Sequence, residues 1–389
     1  MTRRIAVFTL LLPCIVNGTA IAGFDEGVDA LRTGDYATAA TELGSLADQG
    51  NAAAQRVMGE IYLNGYGTAP DDQMALEWFG KAAANGDTIA QINLGNMFRD
   101  GRGVLRDDTR ALVWYRKAAA QGEAIAQNNL GVMYQGGRGG LPQDDRQAAA
   151  WYRMAAEQDY APAQNNLGNQ YVDGRSVSED DRQAAEWFRK AAEQGYAPAQ
   201  HNLGNMYLSG RGVPQDDGQA VAWYRKAAEQ GYEPAQHNLG FSYFNGRGVP
   251  QDDQRAVEWY RRAAAQGFAA SQNNLAVMYQ GGRGGLPQDD RQAAEWYRKA
   301  AEQGIADAQL NLGNLYLNGR GVPQDDLLAY MLFNLAASSG DKTAASNRTN
   351  IVQRLSPKQI EKGNELTKMW RPGTPLPMRG EITSKQKLK

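Results

Sequence analysis

Paired carboxylates, glycine-flanked arginines and two histidines are the residues whose types and spacing could do chemistry in this chain of 389 residues. Asp144-Asp145, Asp216-Asp217 and Asp289-Asp290 set adjacent acids where acid–base catalysis or a divalent cation would use them. Each pair stands at a helix start that recurs along the chain, so capping and compensation of the helix dipole account for it. Gly-Arg-Gly turns at Arg102, Arg138, Arg211, Arg247, Arg283 and Arg320 have the look of phosphate-binding loops. No strand is expected before any of them, and the glycines are read as suppliers of positive φ between hairpins. His201 and His237 are the only histidines and hold one position of adjacent repeats. Helix packing would place them roughly 8–10 Å apart, too far for two imidazoles on one metal, and they are read as surface polar residues. Asn93, Asn129, Asn166, Asn202, Asn238, Asn274 and Asn311 form a ladder, read as buried amides that tie each inter-helix turn to its helix. No metal, cofactor or catalytic constellation emerges from these residues.

The elements that position them are clearest between Asp181 and Gly210. Apolar or small residues recur at Ala184, Phe188, Ala191 and Ala192, then at Ala199, Leu203, Met206 and Tyr207, the stripe of two successive amphipathic helices. Asp180 or Asp181 caps the first helix, Gly195 takes the left-handed position after it, Pro198 suits the first turn of the second, and Gly210 ends it. Gly204 and the alanines let the backbones approach, with Trp187 and Tyr207 expected to fill the remaining space. The tryptophan recurs at Trp78, Trp114, Trp151, Trp187, Trp223, Trp259 and Trp296, spacings of 36 or 37 by subtraction, which makes a tandem array. Residues 127–153 recur almost unchanged at 272–298, an offset of 145, so a block of four repeats has been duplicated and offers the same surface twice.

Segments such as Ala126-Gln127-Asn128-Asn129-Leu130-Gly131-Val132-Met133-Tyr134 and Trp223 to Gly231 resemble the Sel-one-like repeat family, α/α-hairpin relatives of the tetratricopeptide repeat. The resemblance implies an all-α fold, a right-handed α/α solenoid of stacked helical hairpins with 36–37 residues per unit. It also implies a scaffold that assembles or holds protein partners. Because some relatives have been linked to β-lactam compounds, Ser339-Gly340-Asp341-Lys342 is weighed against the Ser-x-x-Lys of penicillin-recognising enzymes. The companion Ser-Asp-Asn and Lys-Thr-Gly elements are missing, and the match is read as chance. A cell-wall-related hydrolase or β-lactam-binding protein is the alternative function, which no residue supports.

Along the chain, Thr2-Arg3-Arg4, the apolar run Ile5 to Val16 and Ala20-Ile21-Ala22 read as a signal peptide over residues 1–22, cleaved after Ala22. Export to the periplasm or beyond follows, and Cys14, the only cysteine, leaves with that segment. The solenoid is expected over 23–355, with 24–50 as a divergent N-terminal cap in which Glu42 replaces the tryptophan. Leu327 to Leu335 make a helix apolar nearly all round, which a C-terminal helix over 356–371 is expected to cover. A disordered tail is expected over 372–389. Charges of 41 basic and 43 acidic residues, net −2, are interleaved, so nothing asks for nucleic acid or anionic lipid. No run beyond the leader is long enough to span a membrane.

The surface feature most suited to a partner is Arg116, Arg153, Arg189, Arg225, Arg261 and Arg298, which follow the aromatic pair in successive first helices. Arginine is frequent at interface hot spots, and Gly80 and Asn334 end the series at the outer units. The expected protein is a monomeric, non-enzymatic scaffold that binds another protein there.

Overall fold

The computed structural model describes residues 23–174 and 179–377. The expected signal peptide and the far tail, 378–389, lie outside the described residues. The chain divides into two compact units, residues 1–178 and 179–389. The first contains α1 Phe24–Thr33, α2 Tyr36–Asp48, α3 Ala52–Asn64, α4 Asp72–Ala84, α5 Thr88–Asp100, α6 Asp108–Ala120, α7 Ala124–Gly136, α8 Asp145–Ala156 and α9 Ala161–Asp173. The second contains α10 Asp181–Glu193, α11 Ala197–Ser209, α12 Asp217–Glu229, α13 Glu233–Asn245, α14 Asp253–Ala265, α15 Ala269–Gly281, α16 Asp290–Glu302, α17 Ala306–Asn318, α18 Asp326–Ser338, α19 Lys342–Ile351 and α20 Pro357–Met369. No strand occurs among the described residues. Within each unit, helices stack on their chain neighbours as an α/α solenoid.

Local chemistry sets the helix ends. The Asp180 side chain accepts from the Arg182 and Gln183 amides, Gly195 has φ +88°, Pro198 stands in the first turn of α11 and Gly210 follows that helix at φ +71°. In most Asp-Asp pairs the two members divide the work. The first caps its helix, whereas the second takes the Gly-Arg-Gly arginine 30 residues later, as in Arg211–Asp181 at 2.7 Å, Arg138–Asp108 at 2.8 Å and Arg320–Asp290 at 2.8 Å. Each pair pins the loop after the second helix to the start of the first helix in the same hairpin. Being partly solvated, such a pair contributes less than about 1 kcal/mol, and its role is to fix the loop's path.

The packing corrects two expectations. Trp187 is only half-buried, with Lys190 Nζ 4.2 Å above its ring, while Phe188 is sealed in the core. The residue after each tryptophan is the anchor: Phe79, Tyr115, Tyr152, Phe188, Tyr224 and Tyr260 are all buried. Gly204 makes its close approach across to the next first helix, because a Cβ there would lie 2.6 Å from the Tyr224 ring. The tightest pair is therefore a second helix with the first helix that follows it, α11 with α12.

The buried amide is likewise displaced by two residues from the asparagine ladder. Gln200 Nε2 donates to the Ala192 carbonyl at 3.1 Å, which ties turn to helix, and Gln200 Oε1 accepts from Gln230 of the next hairpin at 2.8 Å. The same arrangement recurs at Gln236 with Ala228 and Gln266, and at Gln272 with Ala264 and Gln303. Asn166, Asn202 and Asn238 are half-buried instead, and Asn238 joins the lateral polar network, donating to His201 Nε2 at 3.0 Å.

At the C-terminal end, α18 is buried along nearly its whole length. Ser356 and Gln359 form a capping box at the start of α20, where Gly363 abuts Tyr330 and Asn364 Oδ1 accepts from the Tyr330 hydroxyl at 3.1 Å. The expected disorder from Pro372 onward does not hold for 372–377. Leu376 is 4% exposed within the core cluster of the last hairpins.

Candidate functional site

The arginine ladder occupies one register of α6, α8, α10, α12, α14 and α16, two residues past each tryptophan. Alanines and the buried aromatic fix each helix's inner face, which turns this register outward: Arg116, Arg153, Arg225 and Arg261 are exposed, Arg189 and Arg298 half-buried. Four of the six are braced by a tyrosine of the following second helix. Arg153 Nη2 donates to the Tyr171 hydroxyl at 2.8 Å, Arg189 to Tyr207 at 3.1 Å and Arg225 to Tyr243 at 3.0 Å, and Arg298 makes the same bond to Tyr316. Arg116 and Arg261 make no bond of this kind among the described residues. Both sit in the hairpins that carry the extra glycine-loop residue. The brace holds a guanidinium in one orientation, which lowers the conformational entropy lost when it meets a ligand. Nothing in the sequence beyond an 18-residue offset from arginine to tyrosine marks it.

Beside the ladder, a cation covers most of the half-buried tryptophans: Lys117 over Trp114 at 4.1 Å, Lys226 over Trp223 at 4.0 Å and Arg262 over Trp259 at 4.5 Å. Several cations on the outward face of the first helices are therefore held in place.

The other sequence candidates resolve structurally. His201 and His237 are half-buried rather than exposed. His237 packs against the rings of Tyr260 and Phe268, with centroids at 5.7 and 5.3 Å, and its Nδ1 lies 2.9 Å from Ser271 Oγ. Burial, and secondarily the neighbouring His201, lowers its pKa to about 4, while burial lowers that of His201 as well. Both imidazoles are neutral spacers at neutral pH. Ser339 closes α18 and Asp341 caps α19, accepting from the Ala344 amide at 2.8 Å, so Ser339 and Lys342 belong to a helix junction. Burial pushes the Tyr115 and Tyr260 hydroxyls up to about 12, and those of Tyr152, Tyr224 and Tyr297 higher still; all serve as neutral hydrogen-bonding groups. No cluster of His, Cys, Asp and Glu suited to a metal occurs among the described residues. No helix among them is long and apolar enough to cross a membrane.

Stacked hairpins with a repeated outer face define an α/α repeat protein. More particularly, the chain belongs to the Sel1 repeat family: the family's model, described as "Sel1 repeat", matches residues 52–87, 88–123, 124–160, 161–196, 197–232, 233–268, 269–305 and 306–341. Each match begins at a second helix and ends after the next first helix, which within a unit is the tight pair seen in the packing. Among solved structures, the chain is similar to a Sel1 repeat protein from Oxalobacter formigenes, at 32% identity over 85% of this chain and 97% of that one, with a TM-score of 0.59. It is also similar to a protective antigen of uropathogenic Escherichia coli with an SLR fold, at 31% identity over 96% and 95% of the two chains, with a TM-score of 0.49. No functionally curated protein matches the sequence. Sel1 repeats typically mediate protein–protein contacts without catalysis.

Proposed function

We propose that this protein is a non-catalytic scaffold of the cell envelope or the extracellular space, carrying a protein partner on the outward face of its first helices. The observation that carries the reading is the braced arginine: one side-chain pair, Arg189 with Tyr207, recurs in register at Arg153 with Tyr171 and Arg225 with Tyr243. A face needed only for solubility would not require its cations to be held. Export rests on the leader pattern of residues 1–22, and intact mass of protein from the native host tests it, Gly23 being the expected first residue.

Crosslinking capture from the exporting compartment tests the scaffold reading. The intact chain should retain a defined partner, and Arg189→Ala with Arg225→Ala should weaken its affinity by at least about 1 kcal/mol while helicity is unchanged. Capture that yields no partner above background counts against the scaffold.

A further inference from the structure

The chain already holds a peptide segment of its own on the first-helix face: a turn over 371–374, with Gly373 at φ +88°, followed by residues 375–377, which have no regular structure. After α20, residues 372–377 run back along α16, opposite to that helix's direction. Pro372 lies against Gly304, the Gly373 amide donates to the Glu302 carbonyl at 2.7 Å, and the Leu376 amide donates to Glu302 Oε1 at 3.0 Å. Arg298 Nη1 in turn donates to the Leu376 carbonyl at 3.4 Å. Arg298 and Glu302, one helical turn apart, thus clamp both main-chain groups of one residue, and Tyr316 braces the arginine. Such recognition reads the backbone of an extended chain and leaves the side chain to its neighbours.

The same pair recurs uncovered. Arg153 with Glu157, Arg189 with Glu193 and Arg225 with Glu229 stand in the register of Arg298 with Glu302. In all three the arginine carries its tyrosine brace, and the glutamate takes no hydrogen bond among the described residues. The turn glycines Gly195 and Gly231, equivalent to Gly304, have nothing within 4 Å of a built Cβ, whereas Gly304 has Pro372 at 3.3 Å. Where the glutamate is missing, as Ala120 after Arg116 and Ala265 after Arg261, the brace is missing too. The second clamp residue and the arginine–tyrosine bond therefore occur together, whereas Tyr134 and Tyr279 stand at the same offset from Arg116 and Arg261 without that bond among the described residues.

The neighbouring wall sets which peptide fits. Beside the occupied clamp, α18 presents Asn334 and Leu335, and Leu376 shares its core cluster with Leu335. In the same register beside the α10 clamp, α12 presents Arg225 and Lys226; beside the α12 clamp, α14 presents Arg261 and Arg262. A leucine suits the first wall and a carboxylate the other two.

From this geometry we infer that Arg153/Glu157, Arg189/Glu193 and Arg225/Glu229 are vacant main-chain clamps for an extended, acidic segment of a partner protein, and that residues 372–377 are a built-in copy of the bound state. The inference rests on the scaffold reading and names the chemistry of its ligand. It is tested on the full mature chain with a labelled synthetic peptide of residues 371–377 carrying Leu376→Glu, followed by fluorescence anisotropy. The peptide should bind saturably with a Kd below about 1 mM, more tightly than the unaltered peptide. Binding should fall at least tenfold in Arg153→Ala/Arg189→Ala/Arg225→Ala, and at least tenfold when the amide of the residue at the clamp is N-methylated. The pair Arg146→Ala/Arg182→Ala, exposed in the first turns of α8 and α10 and away from the clamps, should leave it unchanged. Absence of saturable binding, equal loss in both sets of variants, or preference for the leucine peptide would overturn the clamp. Concentration-dependent dimers that vanish on deleting 372–389 would also overturn it, since the occupant would then be a second copy. Capture of a partner that survives the triple substitution would leave the scaffold reading standing while the clamp fell.

Discussion

His237 should make folding acid-sensitive by a calculable amount. Its ring is enclosed by Tyr260 and Phe268, where protonation would place a charge among aromatic rings with Ser271 as the polar neighbour at Nδ1. The folded pKa is about 4, against about 6.5 for the unfolded chain. Because the folded value is depressed, the contribution is fully present above about pH 6.5, is lost as pH falls, and is gone below about pH 4. At about 1.36 kcal/mol per pH unit, the gap amounts to on the order of 3 kcal/mol in full, and on the order of 2 kcal/mol by pH 5. His237→Asn isolates it, since Asn128, Asn165 and Asn273 fill the same register in other hairpins. Urea unfolding of both proteins at pH 7 and pH 5, with hydrogen exchange in α13 and α15 as a local readout, supplies the comparison. The advantage of the wild type over the variant should shrink by about 2 kcal/mol between the two pH values, because every other titrating group is common to both. A difference that stays constant within about 0.5 kcal/mol would refute the burial argument for this ring.

Three further substitutions probe the packing. Gln200→Ala strips the Ala192 carbonyl and the Gln230 amide of their partner in a buried site and should cost about 1–3 kcal/mol by thermal or urea unfolding, with surface substitutions as the reference. Gly204→Ala drives a methyl group to 2.6 Å from the Tyr224 ring and should destabilise by about 1–3 kcal/mol, whereas Ala276→Gly, at the register where the chain already tolerates alanine, should cost no more than about 1 kcal/mol in the same assay. Ending the chain after Leu355 uncovers the apolar side of α18 and should lower the melting temperature and bring on self-association by light scattering; an unchanged, monodisperse protein would assign the cap elsewhere.

Much of the architecture was legible because a repeat multiplies weak signals. A single Asp, Gly or Pro suggests a helix end, but Asp180, Gly195, Pro198 and Gly210 recurring in register leave one reading. What failed was resolution within a helical turn. Phe188, four residues after Ala184 and three before Ala191, reads as part of the buried stripe and is buried, whereas its neighbour Trp187, expected to fill the space between helices, lies half-buried beneath Lys190. Gln200 and Asn202 are both amides near the turn, and spacing alone does not say which of them faces it; Gln200 does. The partnership of Arg211 with Asp181 was open to reading, since both recur 30 residues apart in each complete hairpin. The docked segment was not, because one leucine between prolines has no periodicity. The ladder's register was visible in the chain, but its tyrosine braces appear only when two helices are set side by side.

The glutamine rungs bear on how such a chain lengthens. Each rung points one way along the stack: the side chain gives its proton to its own turn and takes one from the hairpin ahead. Any hairpin with these amides can therefore be followed by any other, as a strand end accepts the next monomer of a polymer. Gln127 meets Gln158 at 2.8 Å, and Gln272 meets Gln303 at 2.8 Å, the first pair standing 145 residues before the second. The block that was copied carried the same fitting at both ends, so its insertion required no new interface. Selection could then change the outer face of the new hairpins while the junctions between them stayed as they were.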